Sequence, residues 1–167
     1  MTQVLIAYAS KMGSTKEIAD AIGVELLRLG VSADVRDVAN VTTLDGYDTV
    51  VLGSAVYAGR WRPEASRFVK RHAPALAARR VWLFESGWVG KRPETITPSP
   101  FAAKWAGRIG APPPTVFGGR LDPKLATGPI DRLLAKRMPG DARDWDEILA
   151  WTRTLAVALT ADREEHR

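Results

Sequence analysis

Residues 4–15 read VLIAYASKMGST, an apolar run followed at once by a short turn rich in hydroxyl groups. Continuous apolar residues over 4–8 are typical of a strand that is buried on both faces of a parallel sheet. Apolar residues then recur at helical spacing over 15–29, and Gly30 stands where a left-handed helix end is favoured. The stretch therefore predicts a strand, a turn and a helix in direct succession.

Strand and helix patterns continue to alternate along the rest of the sequence. We predict further strands over 33–37, 49–53, 80–84 and 115–119, and further helices that begin at Pro63, Pro100 and Trp145. Parallel strands need crossover connections, so this alternation favours an α/β fold, a three-layer α/β/α sandwich with a five-stranded parallel sheet in the order 2-1-3-4-5. Ligands of such a sheet bind beyond the carboxyl ends of strands 1, 3 and 4, where the winding direction changes.

The composition limits the chemistry. The 167 residues are 46% apolar and 26% charged, without a linker-like tract or an internal repeat, which predicts one domain over residues 1–167. Cysteine is absent, which excludes disulfides, thiolate nucleophiles and iron-sulfur ligation. His72 and His166 are the two imidazoles; we expect His72 to pack in the core and no metal to be bound. Redox chemistry would therefore require a bound cofactor.

Charge and hydropathy predict location and partners. Since no apolar run is long enough for a signal peptide or a membrane span, we expect the protein in the cytoplasm. The net charge of +5 favours anionic ligands, nucleic acid or an anionic lipid surface. We do not expect nucleic acid as a partner, because no basic stripe is interleaved with aromatic residues.

The turn after the first strand has the features of an anion cradle. It consists of Ser10, Lys11, Met12, Gly13, Ser14 and Thr15. Backbone N–H groups at a helix N-terminus favour an anion there, and the turn lacks both the Walker ending and the three glycines of a dinucleotide turn. A single phosphate monoester is the ligand that fits. In the plainer interpretation, Ser10 and Ser14 merely cap the helix and the nearby lysines are solvated.

This turn resembles the phosphate loop of the flavodoxin-like family, which follows a Ser/Thr-x-Thr-Gly-x-Thr pattern. The matching residues are Ser10, Gly13, Ser14 and Thr15. Met12 departs from the pattern and removes one hydroxyl, for which Lys11 is the candidate to compensate. The resemblance implies a flavodoxin-like fold with FMN as the cofactor.

The resemblance also implies two loops that hold the isoalloxazine ring. One comprises Ala55, Val56, Tyr57, Ala58 and Gly59, and the other, the long loop over 86–99, begins with Ser86, Gly87 and Trp88. Glycine at position 59 suits a peptide that reorients near the flavin N5 atom, because glycine permits a positive φ; an ordinary turn is the alternative. Tyr57, Trp61 and Trp88 are the aromatic candidates to cover the ring.

Basic residues flank both of these loops. Arg60 and Arg62 follow the first loop, and Lys91 and Arg92 lie in the second. A nearby cation stabilises a reduced, anionic flavin by Coulomb attraction, which makes it a milder reductant. Such a flavin suits quinones as acceptors.

The whole chain is further similar to the flavodoxin-type, menaquinone-dependent protoporphyrinogen oxidases of heme biosynthesis. The similarity is carried by FVKRHA at 68–73, KRPE at 91–94, TP at 97–98, GGRL at 118–121, a helix over 131–138 and DW at 144–145. It implies porphyrinogen and menaquinone as substrates, with the flavin N5 atom as the reactive centre and no catalytic side chain identified. The porphyrinogen propionates would pair with Arg60, Arg62 or Arg92, beside Trp61.

In that family an inserted segment after the fifth strand is associated with activity, and residues 120–144 occupy its place in a shortened form. The segment contains an amphipathic, basic helix over 130–138. Two interpretations stay open: the helix rests on the anionic inner face of the cell membrane, beside a quinone pool, or it is an ordinary solvated helix.

Two other functions also stay open from the sequence. One is an electron carrier or quinone reductase with the same FMN site, which works with a redox partner protein. A flavin-free anion-binding module is the more remote alternative and requires that FMN does not bind.

Overall fold

In the computed structural model, residues 2–121, 124, 128–137 and 140–165 are described. The strands are β1 (Gln3–Ala9), β2 (Ser32–Asp37), β3 (Thr49–Tyr57), β4 (Arg60–Trp61), β5 (Arg80–Trp88), β6 (Thr115–Gly118), β7 (Arg120–Leu121) and β8 (Gly140–Asp141). The helices are α1 (Ser14–Arg28), α2 (Pro63–Ala77), α3 (Pro100–Ile109), α4 (Pro129–Arg137) and α5 (Trp145–Glu165).

Parallel strands form the central sheet in the order β2-β1-β3-β5-β6, which confirms the predicted order. The short β4 pairs antiparallel with the end of β3, and β7 and β8 form a separate two-stranded ribbon. The helix expected over 130–138 is observed at Pro129–Arg137. Met138 and His166 lie outside the described residues.

Strand β1 shows why both faces of the sheet are covered. Val4 and Ile6 belong to the core cluster that includes residues of α1 and α5, whereas Leu5 and Ala7 belong to the cluster that includes residues of α2 and α3. All four side chains are fully buried. Successive side chains of a strand point to opposite faces, so an uninterrupted apolar strand requires helices on both sides. This is the predicted three-layer sandwich.

His72 lies at the edge of the core instead of inside it. Its ring packs on Phe68 with 4.6 Å between ring centroids, but the residue is only half-buried. Partial burial lowers the pKa of the His72 imidazole below its ordinary value, and the neighbouring Arg71 lowers this pKa further. The expectation of a core histidine is corrected accordingly.

Glu25 joins α1 to α5 through two arginines. Its carboxylate accepts hydrogen bonds from Arg28 Nε at 2.8 Å and from Arg153 Nε, on α5, at 2.9 Å. These two hydrogen bonds lower the pKa of Glu25 from 4.5 to about 2, and the bond from Arg28 has the larger effect. The ionised form is therefore favoured in the folded protein over the unfolded chain.

We predict that Glu25→Gln lowers the melting temperature near neutral pH. A carboxylate with a depressed pKa contributes stability above its unfolded pKa of 4.5, and this contribution is lost as the pH falls towards the folded value of about 2. Thermal melts across this range should show the two proteins converging at the acid end. Glu94→Gln, at an exposed position, is the control. A difference that persists undiminished at pH 2 would contradict the prediction.

Candidate functional site

Segments that follow the parallel strands meet at the carboxyl edge of the sheet and enclose a cavity of about 320 Å³. Its lining consists of Ser10, Lys11, Met12, Ser14, Thr15, Ala55, Val56, Tyr57, Ala58, Ser86, Gly87, Trp88, Val89, Gly119, Arg120 and Leu121. Of the cofactor-binding residues predicted from the sequence, all except Gly13 and Gly59 line this cavity. We call it the first cavity.

The turn at residues 10–15 forms one end of the first cavity. Gly13 has a left-handed φ of 81° and precedes α1, so that Ser14 and Thr15 stand in the first turn of the helix. The Oγ atom of Ser10 and the Oγ1 atom of Thr15 are buried and have no hydrogen-bond partner within the described part of the chain. Buried hydroxyls normally have partners, so this pair of atoms fits a polar ligand at the helix N-terminus.

Met12 forms an apolar wall of the same turn. Its side chain is 4% exposed and packs against Tyr57 and Leu121. Lys11 Nζ lies 6.0 Å from the centroid of the Tyr57 ring. Position 12 therefore connects the turn to the aromatic side of the cavity and supplies no hydroxyl.

The segment predicted as a loop after β3 is the turn of a hairpin. Strand β3 continues to Tyr57, four residues beyond the predicted end at 53, and β4 turns back along it. Ala58 and Gly59 have φ values of 49° and 72°, as the two central residues of a type I′ hairpin turn require. The positive φ at Gly59 agrees with the expectation for that position.

The loop expected over 86–99 also begins later than predicted, because β5 continues to Trp88. The pairing of β5 with β6 changes register between Ser86 and Trp88. The N–H group of Gly119 donates to the carbonyl oxygen of Trp88 at 2.6 Å. This bond holds the segment after β6 against the segment after β5.

Trp61 does not reach the first cavity. Its side chain is 4% exposed and packs against Phe101, with 5.4 Å between ring centroids. Its Nε1 atom donates to Glu85 Oε1 at 2.6 Å, and the buried Glu85 also accepts from the backbone N–H of Ser99 at 3.0 Å and from the Ser99 hydroxyl. A buried carboxylate needs such donors, so the structure corrects the prediction that Trp61 covers the ligand or binds substrate.

The predicted substrate-side arginines beside the hairpin differ in their surroundings. Arg60 is exposed and directly follows Gly59. Arg62 is less accessible, with 21% of its side chain exposed, and its Nη2 atom lies 3.2 Å from Glu64 Oε1. Arg60 is therefore the more accessible cation for a ligand at this edge.

Arg92 lies over Trp88, with its guanidinium carbon 5.2 Å from the centroid of the Trp88 ring. Its Nη1 atom also pairs with Glu147 Oε2, on α5, at 2.9 Å. This ion pair raises the pKa of Arg92 above its ordinary value. The structure thus places Arg92 beside the first cavity, but with a carboxylate partner.

The segment after β6 was not predicted from the sequence to be part of the site. Gly119, Arg120 and Leu121 line the first cavity, and the backbone N–H of Arg120 donates to Ser14 Oγ at 3.0 Å. The fifth parallel strand ends at the same edge as the first, and this topology is the signal that would have indicated the contact.

A second cavity of about 370 Å³ adjoins the first. The two cavities share Val56, Gly87 and Trp88. The other lining residues of the second cavity are Gly59, Glu85, Pro93, Thr95, Ile96, Thr97, Pro98, Ser99, Pro100 and Val116. Proline and other apolar side chains thus form much of its wall, with the buried Glu85 carboxylate also in its lining.

Among the described residues, no group of three His, Cys, Asp or Glu side chains is placed to hold a metal ion. No helix in the same part of the chain combines the length and the apolar character that crossing a membrane requires.

Residues 5–126 match the protein family described as flavodoxin domain. The chain therefore belongs to the flavodoxin family. Its fold is correspondingly similar to that of oxidised flavodoxin 2 from Bacillus cereus, with a TM-score of 0.63, 21% identity, and coverage of 95% of this chain and 99% of that one. It is also similar to rubredoxin oxygen:oxidoreductase from Desulfovibrio gigas, with a TM-score of 0.64 and 14% identity over 96% of this chain and 37% of that one.

Among curated proteins, the chain is similar to the protoporphyrinogen IX dehydrogenase (quinone) of Escherichia coli K12. The two are 33% identical over 98 residues, which cover 58% of this chain and 54% of the relative. The same values apply to the enzyme of that name from Escherichia coli O157:H7. The chain spans about half the length of the curated relatives it matches.

Membership in the flavodoxin family confirms FMN as the cofactor. The structure fits this cofactor, because the hydroxyls of Ser10 and Thr15, which have no partner among the described residues, lie at one end of the first cavity and the Tyr57 and Trp88 side chains lie further along it.

We predict that Thr15→Val has opposite effects on stability and on binding. Valine removes a buried hydroxyl that has no partner in the described structure, so the apo protein should gain roughly 1 kcal/mol. FMN affinity should fall roughly tenfold, because a hydrogen bond to a charged phosphate is lost. Thr49→Val is the matched control, since Thr49 is equally buried with an unpartnered hydroxyl but begins β3 at the opposite edge. Equal FMN affinity for wild type and Thr15→Val would refute the assignment.

We predict that Trp61→Phe destabilises the protein without changing FMN affinity. The variant keeps most of the buried aromatic surface but leaves the Glu85 carboxylate one donor short, which should cost about 1–3 kcal/mol of unfolding free energy. Chemical denaturation and flavin titration measure the two quantities. A large loss of FMN affinity in a variant of unchanged stability would restore Trp61 to the site.

Proposed function

We propose that this flavodoxin-family protein oxidises a porphyrinogen and passes the electrons to a quinone. The observation that carries the proposal is the 33% identity over 98 residues to the Escherichia coli protoporphyrinogen IX dehydrogenase. The matched region is about half the length of that relative, so the identity alone does not support the substrate assignment. The cavities and charges of this chain have to supply the rest of the support.

The first cavity would hold FMN. The turn at residues 10–15 would bind the phosphate through its hydroxyls and backbone N–H groups, and the ring would lie between the β3–β4 hairpin and Trp88. When bound, FMN supplies an acceptor for a hydride equivalent at its N5 atom. The chain's own contribution is to bind and orient the ring and to exclude water with Tyr57 and Trp88.

The second cavity would receive the reacting part of the ring substrate. It adjoins the first cavity at Val56, Gly87 and Trp88, so a ligand in it stands next to the flavin site. Arg60 is exposed beside it and would pair with a propionate group. Arg92 would act in the same way after exchanging Glu147 for the substrate carboxylate.

Helix α4 supports a peripheral position on the inner face of the cell membrane, beside a quinone pool. The side chains of Ile130 and Leu133 are 73% and 52% exposed, and Lys136 is exposed on the same helix. Exposed apolar and basic side chains on one helix are typical of contact with an anionic membrane surface. An ordinary solvated helix is the alternative.

We predict quinone-dependent formation of fluorescent porphyrin when the FMN-loaded protein is incubated anaerobically with protoporphyrinogen and a menaquinone analogue. Reactions without quinone and without protein are the controls. Presenting the quinone in anionic vesicles, compared with neutral ones, tests the contribution of α4. A protein with bound FMN that forms no porphyrin above the control refutes the proposal and leaves an electron carrier or quinone reductase.

In the same assay, we expect Arg60→Glu to raise the KM for protoporphyrinogen roughly fivefold or more, because it replaces an attractive exposed charge with a repulsive one. Arg108→Glu is the matched control, since Arg108 is exposed in the last turn of α3. An unchanged KM in Arg60→Glu would remove Arg60 from the substrate site.

A further inference from the structure

An arginine from outside the turn at residues 10–15 reaches the end of the first cavity that this turn forms. Arg120 begins β7 and lines this cavity with the turn residues. Its Nη2 atom lies 3.9 Å from the point where a Cβ atom on Gly13 would stand. Its backbone N–H donates to Ser14 Oγ at 3.0 Å, which fixes its position against the start of α1.

The guanidinium of Arg120 is held by one carboxylate. Its Nη1 atom lies 3.2 Å from Glu17 Oε2, and its Nη2 atom donates to Glu17 Oε1 at 3.4 Å. Its Nε atom is buried and has no hydrogen-bond partner among the residues that the structure describes. An arginine has five N–H groups, so Arg120 keeps donor capacity for a second anion.

Glu17 has a second arginine partner, which leaves it paired if Arg120 turns away. Arg143 Nη1 contacts Glu17 Oε2, and the Arg143 side chain is 4% exposed. Its Nη2 atom lies 2.7 Å from Asp141 Oδ2, and its Nε atom donates to Asp141 Oδ1 at 2.8 Å. These contacts fix the orientation of the buried Arg143 side chain, which stays paired with Asp141 whether or not Arg120 contacts Glu17.

The turn at residues 10–15 lacks one polar group that an arginine could replace. Met12 replaces a hydroxyl of the family pattern with a buried apolar side chain, while the hydroxyls of Ser10 and Thr15 lie unpartnered in the described structure. An arginine beside these hydroxyls offers a phosphate dianion both charge and fixed donors.

We infer that Arg120 is a ligand of the FMN phosphate group and that Glu17, which also pairs with Arg143, competes with the phosphate for the Arg120 guanidinium. The inference rests on the FMN site and is independent of the substrate. When FMN binds, the Arg120 guanidinium shares its N–H donors between Glu17 and the phosphate. Arg143 stays paired with the Glu17 carboxylate. The arginine thus replaces the donor that the turn lacks at position 12.

Comparison of FMN with riboflavin, which has no phosphate, tests the inference. Arg120→Gln should weaken FMN binding to the full-length apo protein roughly 10- to 100-fold and leave riboflavin binding unchanged. Arg120→Lys should fall between Arg120→Gln and wild type, since it keeps the charge without the planar fork of donors. Quenching of flavin fluorescence gives both dissociation constants. Arg120→Gln should also reduce the dependence of FMN affinity on ionic strength.

Arg153→Gln is the matched control, because it likewise removes an arginine paired with a glutamate of α1, but far from the turn. It should leave the affinity for both flavins unchanged. If Arg120→Gln loses affinity for FMN and riboflavin equally, or for neither, the inference is overturned and Arg120 serves only to hold Glu17. If the wild type binds neither flavin, the FMN site itself fails.

Glu17→Gln tests the same inference without altering any residue of the cavity lining. Release of Arg120 from the carboxylate, with Arg143 still held by Asp141, should tighten FMN binding severalfold and leave riboflavin unaffected. Weaker binding of FMN in this variant would overturn the inference.

Discussion

The parallel pairing of β1, β3 and β5 is the constraint on which the functional edge depends. Ala9 at the end of β1 pairs with Ser54, and Ser54 pairs with Glu85, so the segment after β1 lies beside the last residues of β3 and β5. A slip of one residue would turn the apolar side chains of these doubly buried strands to the wrong layer, which fixes the register. The turn at residues 10–15, the β3–β4 hairpin and Trp88 therefore surround one cavity.

The order of the strands and most of the segments that build the first cavity could be predicted from the sequence, because they depend on local patterns; the segment after β6 is the exception. The apolar run over 4–8 and the hydroxyl-rich turn are each contiguous, and parallel topology brings their neighbours to the same edge. The ends of β3 and β5 could not be predicted correctly. The continuation of β3 to Tyr57 depends on the hairpin pairing with β4, which was predicted as a loop, and that of β5 to Trp88 depends on pairing with β6, far along the chain.

The two largest differences at the site both come from hydrogen bonds between residues far apart in sequence. Trp61 was expected at the ligand because it is an aromatic residue in the segment after the third predicted strand, at the predicted ligand edge, but the buried Glu85 carboxylate, 24 residues away, takes its indole N–H. Arg120 was not assigned to the site because its contact with Ser14 spans 106 residues. Local spacing carries no information about such pairs, whereas the cost of leaving a buried polar group without a hydrogen-bond partner favours them.

The charged groups around the second cavity are distributed unevenly, and this distribution affects how a charged ligand would be oriented in it. Glu85 forms part of its buried wall, whereas Arg60 and Arg92 directly adjoin the lining residues Gly59 and Pro93 at exposed positions. A molecule with acidic groups at one end is repelled from the interior and attracted to the mouth, while its uncharged rings meet proline and isoleucine. If the proposed porphyrinogen is the guest, this arrangement would favour the orientation with the ring system inward and the propionate groups at the mouth.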